Sequence, residues 1–360
     1  MCFQPTFSIQ ISLYYAFAKT AQISLLHCSH LRYMISIWSL LIKVSIVLFS
    51  SEHQLNNNEQ QQFWQTVTQS TLTKDSISLA YAYIQHPDND KAIVISSGRV
   101  ESYLKYKELM FDLYQQGYSL YILDHRGQGL SSRTTINPHQ GHIDKFQTYI
   151  NDLNDFIEQI VKPNDHNDLY LVGHSMGGTI GTLYMEQYPA TFNAAVFSAP
   201  MYGIKLPFNK AFIRSLAALL DTSSDKQPNK QPNYVLGGTD YQPVVFEKNH
   251  LTNSPNRYQM ILNVFQQDPE IQLGSPTNRW LIEAMDAADR AIKAAALSIK
   301  PILVLQAMDD AIVDNAAQNR AENKYCQIRR INNCQHEVFI EADDARNQAL
   351  RALVTFLDQY

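Results

Sequence analysis

The chain has 360 residues, 45% of them hydrophobic and 18% charged, with a formal net charge of −5. That balance excludes a disordered chain. Without a dense Lys/Arg run it also excludes nucleic acid as the main partner. The length fits one large α/β domain with insertions, or two domains. Cys2, Cys28, Cys326 and Cys334 form no CxxC pair and no metal-ligand spacing, so buried apolar thiols are expected and no metal.

The first fifty residues are Ile/Leu/Ser-rich, poor in acidic residues, and include "YMISIWSLLIKVSIVLF" at 33–49. As a helix that run would span about 25 Å, short of the ~30 Å hydrocarbon core. Lys43 near its middle adds a penalty on the order of 3 kcal/mol. Three readings fit: a weak signal-anchor, a cleaved signal, or sequence upstream of the true start, with Met34 an internal alternative. "SEHQLNNNEQQQ" (51–62) reads as a linker or the edge of the folded part. Residues 1–60 are accordingly expected to lie outside the catalytic core.

The pattern then becomes regular. "STLTKDSISLAYAYIQ" alternates as a hairpin does. "KAIVISSG" (91–98) is a short apolar run, as expected of a buried parallel strand. "YLKYKELMFDLYQQG" predicts a helix stopped at Gly117. "YSLYIL" predicts a strand, "YINDLNDFIEQIV" a helix, "DLYLVGHS" a strand, "MGGTIGTLYMEQY" a helix and "NAAVFSAP" a strand. After an interruption, "KPILVLQA" and "YCQIRRI" predict strands. "DARNQALRALVTFLDQY" predicts a helix with Ala345, Ala349, Leu353 and Phe356 on one stripe. Strands alternating with amphipathic helices imply an α/β fold, a mostly parallel sheet covered on both faces. The core is expected at 61–200 and 298–360. The interruption at 201–297 is Pro-rich and too long for a bare loop, so a helical cap over the carboxyl edge of the sheet is expected.

Gly173-His174-Ser175-Met176-Gly177 fits G-x-S-x-G, with an apolar strand running in and a helix running out, as that motif requires. Small residues at Gly173 and Gly177 allow the sharp turn that exposes a nucleophilic Ser175. A serine needs a histidine base oriented by a carboxylate, and on this architecture they follow in the order Ser, Asp/Glu, His. "MDDAIVD" offers Asp310 as the acid, with Asp309 the alternative and Asp314 an N-cap. His336 is the histidine that follows the acid in the chain. His174 is expected to be structural, His125 to line the site, and His250 to belong to the cap. Backbone N–H groups of Met176 and Arg99 are the expected oxyanion donors. Tyr202, Ile204, Phe208, Phe212 and Phe246 are candidates for an acyl-chain channel.

With these residues in place the chain resembles an α/β-hydrolase of the monoglyceride-lipase and lysophospholipase branch, and most of all the bacterial inner-membrane lysophospholipases. The resemblance rests on "VISSGRVESYLKY", "DHRGQGLSSR", "HSMGGTIGTLY", "APMYGI", "LQAMDDAIVDN" and "HEVFIE", and runs from about 60 to 358. Monoglyceride lipases usually carry H-G-x-G-E-H where this chain has Ser97 and Ser102 in place of the two histidines, which favours the lysophospholipases. The resemblance implies the triad Ser175, Asp310 and His336, and hydrolysis of the acyl ester of a lysophospholipid without a cofactor. Acyl transfer to other lipids fits the same chemistry. The resemblance also implies peripheral association with the cytoplasmic side of a bacterial inner membrane. A monoacylglycerol lipase or broad carboxylesterase is the alternative.

Overall fold

The computed structural model describes residues 49–87, 90–222 and 231–360. Residues 33–48 and Met34, where the anchor and alternative-start readings fall, lie outside them, as do Cys2 and Cys28. No helix among the described residues is long and apolar enough to cross a membrane.

Strands β1 (Thr68–Lys74) and β2 (Ile77–Ile84) form an antiparallel hairpin, and β2 pairs antiparallel with β4 (Ser119–Leu123). From there the sheet is parallel: β4 beside β3 (Lys91–Ser96), then β5 (Asp168–His174), β6 (Ala194–Ser198), β7 (Ile302–Ala307) and β8 (Cys326–Ile331). The parallel strands carry continuous apolar runs because helices cover both faces. Every residue of β4, β6 and β7 is buried. Chain order reverses between β3 and β5, so the loops leaving those two strands splay apart and open a crevice, the usual ligand position in such sheets.

The helices are α1 (Asn58–Thr66), α2 (Lys107–Gln115), α3 (Gln147–Phe156), α4 (Met176–Gln187), α5 (Lys210–Leu220), α6 (Pro255–Gln267), α7 (Asn278–Leu297), α8 (Asn315–Asn319) and α9 (Asp343–Leu357). The predicted stripe of α9 is buried at all four positions. Helices α5, α6 and α7 lie in the stretch between β6 and β7. Helix α7 packs on both α5 and α4, so it roofs the site and also serves as a crossover helix of the core. The expected boundary near 297 is therefore not a seam in the packing.

The folded body begins at Phe49, earlier than the expected limit at 61. Residues 51–62 are its edge rather than a linker. Ser50 donates through N and Oγ to Asp112 Oδ1 (2.9 and 2.7 Å), and Ser51 Oγ donates to Asp343 Oδ2 (2.6 Å). These bonds join a buried ion cluster that short-range sequence patterns do not reveal. Arg257 of α6, fully buried, donates to Glu108 of α2 (2.8 and 2.9 Å) and to Asp343 of α9 (2.7 Å). It also donates to the Glu341 carbonyl (2.5 Å). Arg346 sits 2.7 Å from Asp112. The arginine thus ties the inserted segment to two core helices, and removing it takes the nearest cation from two carboxylates. Arg257→Ala is expected to destabilise the protein by about 3–5 kcal/mol, read as a lower midpoint in urea unfolding.

Candidate active site

Ser175 ends the turn between β5 and α4 with φ 51° and ψ −114°, a backbone conformation that L residues rarely adopt and that costs of order 1–3 kcal/mol. The neighbouring strand holds it there. Ser175 N donates to the Ser198 carbonyl (3.0 Å), and its own carbonyl accepts from Met201 N (2.9 Å) and Gly178 N (3.1 Å). A Cβ on Gly177 would sit 2.0 Å from the Ser96 carbonyl oxygen, so only glycine lets the start of α4 approach the end of β3 this closely. A Cβ on Gly173 would in turn fall 2.9 Å from the Gly177 backbone.

The structure brings Ser175, His336 and Asp310 together. His336 Nε2 is 2.9 Å from Ser175 Oγ, and His336 Nδ1 is 2.7 Å from Asp310 Oδ2. Asp310 Oδ1 accepts from the N–H groups of Ile312 (2.7 Å) and Val313 (3.0 Å). Burial pushes its carboxyl up, but the His336 bond and charge together with these amides outweigh burial and hold it below the usual range. Asp309 is exposed, and Asp314 caps α8 by accepting from Ala316 N (2.9 Å).

Histidines 125 and 174 are placed differently. Burial pushes His125 down to about 4 and His174 down to about 3. His125 Nε2 lies 3.0 Å from Ser96 Oγ, and His174 Nδ1 lies 2.9 Å from Ser198 Oγ. The His174 ring packs against that of His336 with centroids 4.9 Å apart. His250 is exposed in the inserted segment.

Met176 is the first residue of α4, where N–H groups lack intrahelical partners. The Ser97–Ser102 loop leaves β3 on the other side of the crevice. Glu101 Oε2 accepts from Gly98 N, and Gln128 Nε2 donates to the Gly98 carbonyl (2.6 Å). Ser102 caps the helical turn that follows and donates to Asp124 (2.8 Å). Beneath the loop, buried Lys105 bridges Glu101 and Glu337, 2.6 Å from each. Burial raises the Glu101 carboxyl, but Lys105 above all, with His174 and Tyr106, overrides it and leaves the group at about 2. Lys105 therefore clamps the loop after β3 to the residue that follows His336. Only the Glu101–Lys105 half of this bridge has a sequence signal, the i,i+4 spacing.

A cavity of about 360 Å³ opens on Ser175 and His336. Its apolar wall comes from Val100, Ile204, Leu251, Ile261, Phe265 and Trp280. Of the residues expected there Ile204 lines it, while the four aromatics are elsewhere, which corrects that part of the expectation. Tyr202 is fully buried, its hydroxyl 2.7 Å from Thr182 Oγ1. Phe208 and Phe212 are 67% and 57% exposed, and Phe246 packs on Tyr258. Aromatic content predicts the cap but not which face of it turns inward.

Sheet order, strained serine turn and Ser–His–Asp geometry define an α/β-hydrolase. The family described as serine aminopeptidase, S33, matches residues 87–343, and the chain belongs to it. It is 32% identical over 312 residues to the protein named lysophospholipase L2 of Escherichia coli (strain K12), covering 83% of this chain and 89% of the relative. It is 35% identical to the protein named probable lysophospholipase L2 of Haemophilus influenzae, covering 82% and 93%. Its fold is similar to a crystal structure of a soluble variant of monoglyceride lipase from Saccharomyces cerevisiae in complex with a substrate analog. That match has a TM-score of 0.62 at 18% identity, over 81% of this chain and 96% of that one. The chain is a serine hydrolase of the lipase and lysophospholipase branch.

The exposed Asp309 and the buried, doubly bonded Asp310 give a direct test of the acid. Asp310→Asn is expected to lower kcat for a p-nitrophenyl ester by on the order of 10³–10⁴-fold. Asp309→Asn should change it by less than about threefold, and steady-state kinetics of the two variants makes the comparison.

Proposed function

We propose that this protein hydrolyses the acyl ester of lysophospholipids, releasing a fatty acid and a glycerophosphodiester. The observation that carries the reading is the Ser175–His336–Asp310 relay opening on a mostly apolar cavity under the inserted helices. The names of the two relatives support the substrate class.

Ser175 Oγ attacks the ester carbonyl while His336 Nε2 takes its proton. Asp310 holds the imidazole with Nδ1–H toward itself and stabilises the imidazolium. Backbone N–H groups of Met176 and Arg99 receive the oxyanion, each worth roughly 3–4 kcal/mol in the transition state. His336 then protonates the leaving glycerol oxygen, and water repeats the sequence to free the acid. A lipid hydroxyl in place of that water gives acyl transfer. Each acyl methylene buried against the apolar wall contributes about 0.8 kcal/mol. No step requires a cofactor.

A substrate panel tests the reading. Lysophosphatidylcholine and lysophosphatidylethanolamine should be cleaved with higher kcat/KM than monoacylglycerol, and a fluorophosphonate probe should label wild type but not Ser175→Ala. Preference for monoacylglycerol or for short p-nitrophenyl esters would assign the enzyme to the lipase or carboxylesterase alternative.

The reading extends to peripheral membrane contact, supported by the exposed side chains of Phe208, Phe212 and Leu219 in and just before α5. Scattered apolar exposure is ordinary, so the combined variant Phe212→Ser/Leu219→Ser decides. It is expected to lose most cosedimentation with phosphatidylethanolamine/phosphatidylglycerol vesicles that wild type retains.

A further inference from the structure

The deeply buried arginines of the ion cluster are paired with acids. Arg257 meets Glu108 and Asp343, and Arg346 meets Asp112. Arg99 is different. Arg99 is one of the residues lining the cavity that holds Ser175 and His336, and no ion pair joins it to a carboxylate among the described residues. Nη2 donates to the Gly274 carbonyl (2.5 Å), and the guanidinium carbon lies 5.2 Å from the centroid of the Trp280 ring. Nε is buried without a hydrogen-bond partner among the described residues.

The position is built for this group. A Cβ on Gly141 would fall 2.5 Å from Nη2, so the glycine leaves the space that the guanidinium fills. Burial pushes Arg99 down to about 10, and what opposes it comes from the Tyr149 and Tyr234 hydroxyls, not from a carboxylate. Glu101 and Glu337, the carboxylates that line the same cavity, are bridged by Lys105. Half-buried at the cavity wall without a carboxylate partner, the guanidinium is open to pairing with an incoming anion. Guanidinium matches phosphate oxygens with paired N–H donors.

We propose that the Arg99 side chain receives the phosphodiester of a single-chain lipid whose ester carbonyl lies at Ser175, and so selects head groups that carry a phosphodiester. The proposal rests on the lysophospholipase reading and adds a specificity residue to it. The glycerol bridge between ester and phosphate sets the span from the oxyanion donors to the guanidinium. Arg99 thus acts twice, through its backbone at the oxyanion and through its side chain at the head group.

The test uses inhibition of p-nitrophenyl butyrate hydrolysis by non-hydrolysable ligands in the full chain. 1-O-Hexadecylglycero-3-phosphocholine, a non-hydrolysable ether, should inhibit wild type at least about tenfold more tightly than uncharged 1-O-hexadecylglycerol. Arg99→Met, which removes the charge, should abolish that ratio, and Arg99→Lys, which keeps a cation, should keep part of it. No preference in wild type overturns the proposal, whether or not Arg99→Met folds. Equal loss for both ligands in Arg99→Met also overturns it, because a side chain that merely fastens the cap would weaken both alike. Equal inhibition by chain-free glycerophosphocholine would assign the site to a soluble phosphodiester and overturn the lipid source. Failure of the lysophospholipase reading is a separate result: wild type would then leave lysophosphatidylcholine intact, whatever the inhibitor ratio.

Discussion

The first turn of α4 lies against the carbonyl end of β3 with no room for a side chain between them, and the rest of the site depends on that approach. Gly177 makes the contact, the Ser96 carbonyl receives it, and the reversal of strand order between β3 and β5 sends the two flanking loops to opposite sides. The N–H of Met176 and the loop bearing Arg99 thereby face one crevice, with Ser175 between them. The strain in the serine backbone is repaid by bonds to Ser198 and Met201, which come from the end of β6 and the segment after it. The nucleophile is thus positioned by the sheet itself.

Charge does the remaining positioning. Lys105 between Glu101 and Glu337 joins the loop after β3 to the loop that carries His336, although more than two hundred residues separate them in the chain. A buried bridge of this kind adds little net stability against an apolar alternative. What it provides is fixed geometry, because both carboxylates must stay where the ammonium is. The same logic applies farther out, where Arg257 fastens α6 to Glu108 and Asp343. One network holds the histidine loop and the other holds the inserted segment. Together they let loops act with the precision of regular structure.

The contrast between what is legible in sequence and what is not follows the range of the interactions. Periodicity exposes the strands and helices because burial repeats every second or every third to fourth residue. The serine turn is legible because strand, glycines and helix are contiguous. Asp310 and His336 are legible because this architecture constrains the order in which catalytic groups return to one edge. Lys105 to Glu337 has no local signal, and neither does the wall made by Val100, Ile204, Leu251, Ile261, Phe265 and Trp280, which brings distant elements together. Aromatic content misleads here. Phe208 and Phe212 stand in solvent, while Trp280, placed in the first turn of α7, faces the cavity. Residues 50–52 show why composition leaves linker and edge open there: a polar segment can pack through hydrogen bonds to Asp112 and Asp343 instead of through apolar area.

Helix α7 links the roof of the cavity to its floor. It carries Trp280 at its start and then packs along α4, the helix whose first turn follows Ser175. The Trp280 end of the roof therefore cannot shift freely against the nucleophile. Arg99 belongs to this fixed part, bonded to Gly274 and lying over Trp280 before any substrate enters. A cation held in advance loses little conformational freedom when an anion arrives, so more of its interaction energy remains as selectivity. The apolar wall rewards any long acyl chain and discriminates little among lipid esters. A pre-placed cation is what can separate a head group that carries a phosphodiester from one that does not.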